Sequence, residues 1–138
     1  MPRRDPLAGA LAKLRDFAKT YPLATEDHPW GETAMKVKGK VFVFLSLFKG
    51  VFRASLKLPE SGPVALGMSF AEPTGYGLGK HGWVTTAFAP GDAIPIDMLR
   101  EWIDESYRAV APKSVLAKLE AADVDSKVKQ PRTKKRAK

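Results

Sequence analysis

Two very short spacers constrain this chain more than anything else in it. Gly39 and Lys49-Gly50 separate three runs of β-forming residues, Thr33–Lys38, Lys40–Phe48 and Val51–Leu58. Spacers this short join only antiparallel neighbours, so the stretch predicts a tight meander. In the first run Met35 and Val37 alternate with Lys36 and Lys38. In the third, Ala54, Leu56 and Leu58 alternate with Arg53, Ser55 and Lys57. A period of two sends the basic side chains to one face and the apolar ones to the other. Between them Val41-Phe42-Val43-Phe44-Leu45 is apolar throughout, the pattern of a central strand covered on both sides, and it predicts a second covering layer.

Helices flank the meander. Leu7, Leu11, Leu14, Phe17, Ala18 and Tyr21 recur at helical spacing behind Asp5-Pro6, a capping residue followed by a proline suited to a first helical turn; Pro22 ends the pattern. A polar loop over 22–32 follows. Residues 59–82 are broken by glycines and prolines and allow a short helical turn near Val64–Phe70. Trp83–Phe88 reads as a fourth strand. Pro95 then opens a helix with Ile96, Leu99, Ile103, Tyr107 and Val110 on one stripe and Trp102 at its margin; Ser114–Ala122 predicts a short last helix after Pro112. The expected fold is α+β: an N-terminal helix, an antiparallel meander and C-terminal helices packed on the sheet.

The chain of 138 residues suits one domain over 1–125. It has no cysteine, which removes disulfides, thiolate chemistry and Cys-based zinc sites and favours a cytoplasmic setting. Its longest apolar run, Val41–Phe48, is well short of the roughly 20 residues that span a bilayer, so a soluble protein is expected. The formal charge of +8 is unevenly placed. Residues 126–138 hold seven basic groups and no acid, a composition expected to be disordered. Of the remainder, 1–57 carries 11 basic against 5 acidic groups and 58–125 carries 5 against 10.

Sites of chemistry are sparse. Gly75-Tyr76-Gly77-Leu78-Gly79-Lys80-His81-Gly82 has the glycine content of a phosphate-cradling loop, but a strand follows it where a nucleotide-binding loop needs a helix. It reads as a flexible connection, with a looser anion contact through Lys80 and His81 as the alternative. Glu26, Asp27, His28 and Glu32 are acid and imidazole groups crowded into one loop, without the spacing of a metal motif, and His28 and His81 are the only histidines. Structural loop contacts, with Trp30 packed on the core, are the simpler reading. Ser46, Ser55, Ser69 and Ser106 lie in no nucleophile elbow. The clearest signal is basic: Lys36, Lys38, Arg53 and Lys57 alternate on neighbouring strands, while Lys40 and Lys49 flank opposite ends of a strand about 30 Å long. A small ligand cannot touch both ends; an extended polyanion can. A solvated face with a solubilising tail is the competing reading.

Leu14-Arg15-Asp16-Phe17-Ala18, Pro22, Thr25-Glu26-Asp27-His28-Pro29-Trp30-Gly31, Lys36-Val37, Gly39-Lys40-Val41-Phe42, Lys80 with Trp83-Val84, and Ile103-Asp104-Glu105-Ser106-Tyr107 together resemble the MmcQ/YjbR family of small bacterial proteins. The resemblance covers roughly residues 10–118. It implies a fold similar to the bacterial frataxin homologue CyaY and a double-wing motif inferred from shape to bind DNA. It supplies no catalytic residues. Many relatives have Tyr-His where this chain has Tyr76-Gly77, and the basic tail lies outside the family pattern. An iron role would be analogy of fold alone, because the first helix has no acidic ridge.

The expectation is therefore a non-enzymatic DNA-binding protein that contacts the phosphate backbone through Lys36, Lys38, Lys40, Lys49, Arg53, Lys57 and Lys80, with Lys134, Lys135 and Arg136 of the tail adding affinity. No cofactor, metal or membrane is expected. A protein-interaction module with an unassigned partner is the alternative, and a small-anion-binding protein the third reading.

Overall fold

The computed structural model describes residues 6–28, 32–75 and 78–117. The elements are α1 (Pro6–Lys19), β1 (Ala24–Asp27), β2 (Thr33–Val37), β3 (Lys40–Phe48), β4 (Val51–Lys57), α2 (Gly62–Leu66), β5 (Ala71–Pro73), a 3-10 turn over Leu78–His81, β6 (Trp83–Phe88) and α3 (Ile96–Val110). Residues 113–117 are helical again. The proposed Asp5 cap, Trp30, the end of the last helix and the tail with Lys134, Lys135 and Arg136 lie outside the described residues.

The six strands form one antiparallel sheet in the order β1-β2-β3-β4-β6-β5. Both hairpins of the meander turn on a Lys-Gly pair. Lys38 and Gly39 have φ of 53° and 81°, and Lys49 and Gly50 have 52° and 77°. Positive φ at both central residues is the signature of a type I′ turn, whose twist matches that of the strands it joins. Lys38 therefore belongs to the turn and not, as the alternation suggested, to the strand face.

α1 and α3 pack together on one side of the sheet, and the core is a single apolar cluster between them. β4 gives Phe52, Ala54 and Leu56 to it, and β6 gives Val84 and Phe88. On α3 the buried stripe is Leu99, Trp102, Ile103, Ser106 and Tyr107. Trp102 and Ser106 thus lie inside it, whereas the expected Ile96 and Val110 are only half-buried.

β3 departs from the reading of a strand covered on both faces. Its register against β2 slips between Met35 and Lys36, so that Met35 opposes Val43 but Lys36 opposes Val41, and Phe42 is the extra residue. Such a bulge breaks strict alternation. Phe42, Val43 and Leu45 are all fully buried, with the Phe42 ring edge-on to Tyr107 at 5.1 Å. Val41 and Phe44 remain on the opposite face, half-buried, and all the described helices lie on the other side.

Neither edge strand is marked in the sequence: β1 falls in the expected polar loop over 22–32, and β5 in the irregular segment over 59–82. β1 carries Thr25, Glu26 and Asp27 with alternate exposure, so no apolar period marks it. β5 is three residues long and ends in Pro73, which an edge strand tolerates because one side of its backbone faces no partner.

Candidate functional site

The strand register fixes which side chains share the helix-free face. Lys36 lies opposite Thr25 on one side and Val41 on the other, and Lys57 lies opposite Trp83. The next row holds Asp27, Ala34, Phe44, Ser55, Thr85 and Glu72. Towards the β3–β4 turn come Ser46, Arg53 and Ala87, then Phe48 and Val51. Lys36, Arg53 and Lys57 thus project from the same face, as the alternation predicted. Lys36 and Lys57 are separated by two strand spacings, about 10 Å, and Arg53 and Lys57 by about 13 Å along β4.

The turn lysines rim this face. Lys38 and Lys40 stand at one end of β3, and Lys49 at the other, so they meet no common small ligand. Lys80, exposed on the 3-10 turn, sits with the first pair, since Gly82 accepts a 2.8 Å hydrogen bond from the Leu58 amide beside Lys57. The ion pairs among the described residues use Arg15, Lys19, His28, Lys36, Arg100 and Arg108. Of the expected cations that are described, only Lys36 is neutralised, by Asp27 at 2.9 Å. That bond, with the His28 amide N–H donating to the same carboxylate, holds the Asp27 carboxyl below its usual range.

The face also has an apolar and a hydroxyl component that charge counting missed. Phe44 lies 6.1 Å from the Trp83 ring, which is 9% exposed. Phe48 is 62% exposed, with the Lys49 ammonium 5.3 Å from its ring centroid. Thr85 links Ser55 at 2.8 Å and Thr74 at 2.9 Å in a chain of hydroxyls across three strand positions. The signal for Phe44 and Phe48 was present in the sequence, since both keep the period of Ser46 in β3. It was hidden by the general hydrophobicity of that strand.

Other sequence candidates resolve into structural contacts. Glu26 pairs with His28 at 2.9 Å and Lys19 at 3.8 Å, while Asp27 projects to the other face. No group of three His, Asp or Glu side chains suited to a metal occurs among the described residues. In the glycine-rich loop a Cβ on Gly79 would come 2.9 Å from the Pro73 Cβ, and Gly82 has a φ of +89°. These two glycines serve close packing and a turn into β6.

Four consecutive residues of α3 tether it to the rest of the molecule. Asp104 accepts from the Tyr21 hydroxyl at 2.6 Å and from Arg108 at 2.8 Å. Glu105 accepts from the amides of Glu60 and Ser61 at 2.8 and 2.9 Å and from the Ser61 hydroxyl. Ser106 bridges β3 and β4, and the Tyr107 hydroxyl donates to the Pro22 carbonyl at 2.6 Å. Burial pushes the Tyr107 phenol up from its usual value. The polar residues of this segment hold α3 to β3, β4 and the loops after α1 and β4.

No curated protein matches the chain. The YjbR family model matches residues 19–109, a span that runs from the end of α1 through α3 and includes every strand of the sheet. On that match the chain belongs to the YjbR family.

Proposed function

We propose that this protein is a non-enzymatic DNA-binding protein that grips the phosphate backbone with the helix-free face of its sheet. The observation that carries the reading is the shared projection of Arg53 and Lys57, neither in an ion pair among the described residues, between turn lysines at both ends of β3. A face some 30 Å long with cations distributed along it suits an extended polyanion better than a compact one. Both long helices are packed on the far side, so no helix is offered to the major groove, and little base specificity is expected. The open groove between α1 and the approach to α3, about 490 Å³, is lined by Lys13, Asp16, Asp92 and apolar groups and holds no hydroxyl or imidazole nucleophile.

A salt-dependent titration with duplex DNA tests the reading. Neutralising about five phosphates gives log affinity a slope of about −4 to −5 against log salt. A flat response rejects it. The same titration on a chain lacking residues 126–138 separates sheet from tail: complete loss of binding assigns the activity to the tail alone.

A protein-interaction module is the second reading, favoured by Val64 and Leu66 on α2, which are 67% and 44% exposed. A pull-down after nuclease digestion distinguishes it, because a protein partner survives that treatment.

A further inference from the structure

Phosphate binding alone gives no use to the aromatic groups on the basic face. Phe48 ends β3 on that face, 62% exposed, with Lys49 over its ring and Arg53 one row away, beside Ser46. A ring that large stands in water only at a cost in hydration, and its position among cations makes the surroundings attractive to an anion. Duplex DNA satisfies the cations but keeps its bases stacked inside, where a phenyl ring on a flat sheet cannot reach them. An unpaired strand offers both phosphates and bare base faces. Sheet surfaces that hold single strands combine these same two components, a cationic track and an aromatic ring for a base to stack on.

We infer that the outer face prefers single-stranded over duplex nucleic acid, with a base stacked on Phe48 and the adjoining phosphates on Lys49 and Arg53. This rests on the backbone-binding reading above and adds the strand state of the ligand. Phe44 is the lesser contact, since it is half-buried and partly engaged by Trp83. Among the paired strand residues two carboxylates share the face, Asp27 and Glu72, and the register puts both on the edge strands β1 and β5, away from the β3–β4 turn. The strand is thereby directed along the centre of the sheet and towards Phe48.

The experiment compares a labelled oligothymidine of about 15 nucleotides with a duplex of the same length at one salt concentration, using the full chain, Phe48→Ala and Phe48→Trp. A second oligonucleotide carrying 2-aminopurine reports stacking by its quenching. The expected result is tighter binding of the single strand, a loss of about tenfold or more in Phe48→Ala, recovery in Phe48→Trp, and unchanged duplex affinity in both variants. The exposed ring makes both variants foldable, and circular dichroism checks this. Equal or tighter duplex binding, or a single-strand affinity indifferent to Phe48→Ala, overturns the strand preference while salt-dependent binding leaves the backbone reading standing. Failure to bind either nucleic acid removes both. Concentration-dependent self-association abolished by Phe48→Ala also overturns it, by assigning the ring to a second copy of the chain.

Discussion

Ser106 on α3 donates a hydrogen bond to the carbonyl of Phe42, the extra residue of the β3 bulge, and its oxygen accepts the Lys57 amide at 2.9 Å. The ladder between β3 and β4 ends at Val43 and Leu56, and one buried hydroxyl satisfies the next backbone group on each strand, the Phe42 carbonyl and the Lys57 amide. Ser106→Ala strands a buried carbonyl and an amide, so it is expected to lower stability by about 1–3 kcal/mol. Urea unfolding checks this; a midpoint equal to that of the parent chain rules out the bridging role.

Asp27 restrains one of the cations on the proposed interface. Replacing it by Asn frees the Lys36 ammonium, and if the face binds phosphates the affinity rises and the salt slope steepens by about 0.9 for duplex DNA. The pH dependence has a defined sign. The Asp27 carboxyl is lower in the folded chain than its ordinary value, so its contribution to stability is present above that value and disappears as pH falls through the folded one. The carboxylate is exposed, so the effect on stability is small and the binding assay is the sensitive readout. Weaker DNA binding in Asp27→Asn contradicts the assignment of Lys36 to the interface.

Tyr107 ties α3 to the chain reversal after α1, with its hydroxyl on the Pro22 carbonyl and its ring stacked on Tyr21 at 4.5 Å. Tyr107→Phe keeps the packing and removes the bond, with an expected loss of about 1 kcal/mol. Because burial raises the phenol in the folded state, its stabilising effect is complete below the unfolded value, about 10, and is lost as pH climbs through the folded value. Thermal melts from pH 8 to 11 are expected to show an alkaline decline that is shallower in Tyr107→Phe. Parallel curves would refute this.

The two turns lie about 30 Å apart, and duplex DNA rises 3.4 Å per base pair, so a fragment needs about nine base pairs to reach from Lys40 to Lys49. Each of Lys40→Ala and Lys49→Ala is expected to weaken binding of a 20-base-pair duplex by a similar factor, and together they add. A six-base-pair duplex reaches only one end at a time, so each single variant is expected to lose little while the other end remains, and the double variant to lose more than the two singles combined. Equal additivity at both lengths would place the two lysines on one compact subsite.

The sequence alone determined the features whose causes are local. Lys38-Gly39 and Lys49-Gly50 fix tight hairpins because the backbone conformation is chosen within the turn. Alternation within β4 sets Arg53 and Lys57 apart from Phe52 and Leu56, and the 3.6-residue period of α3 picks out Leu99, Ile103 and Tyr107. The tertiary structure decided what depends on pairing between distant segments. The slip at Phe42 turns an apparently two-sided apolar strand into one that buries Phe42, Val43 and Leu45 fully in a single core, and it is visible only against β2. Ser106 finds Phe42 across 64 residues, and Tyr107 finds Pro22 across 85. Asp27 neutralises Lys36 because β1, too polar to show a strand period, pairs with β2. Register between strands and the docking of a helix are set by the sum of many weak contacts across the chain, and no window of neighbouring residues contains that sum.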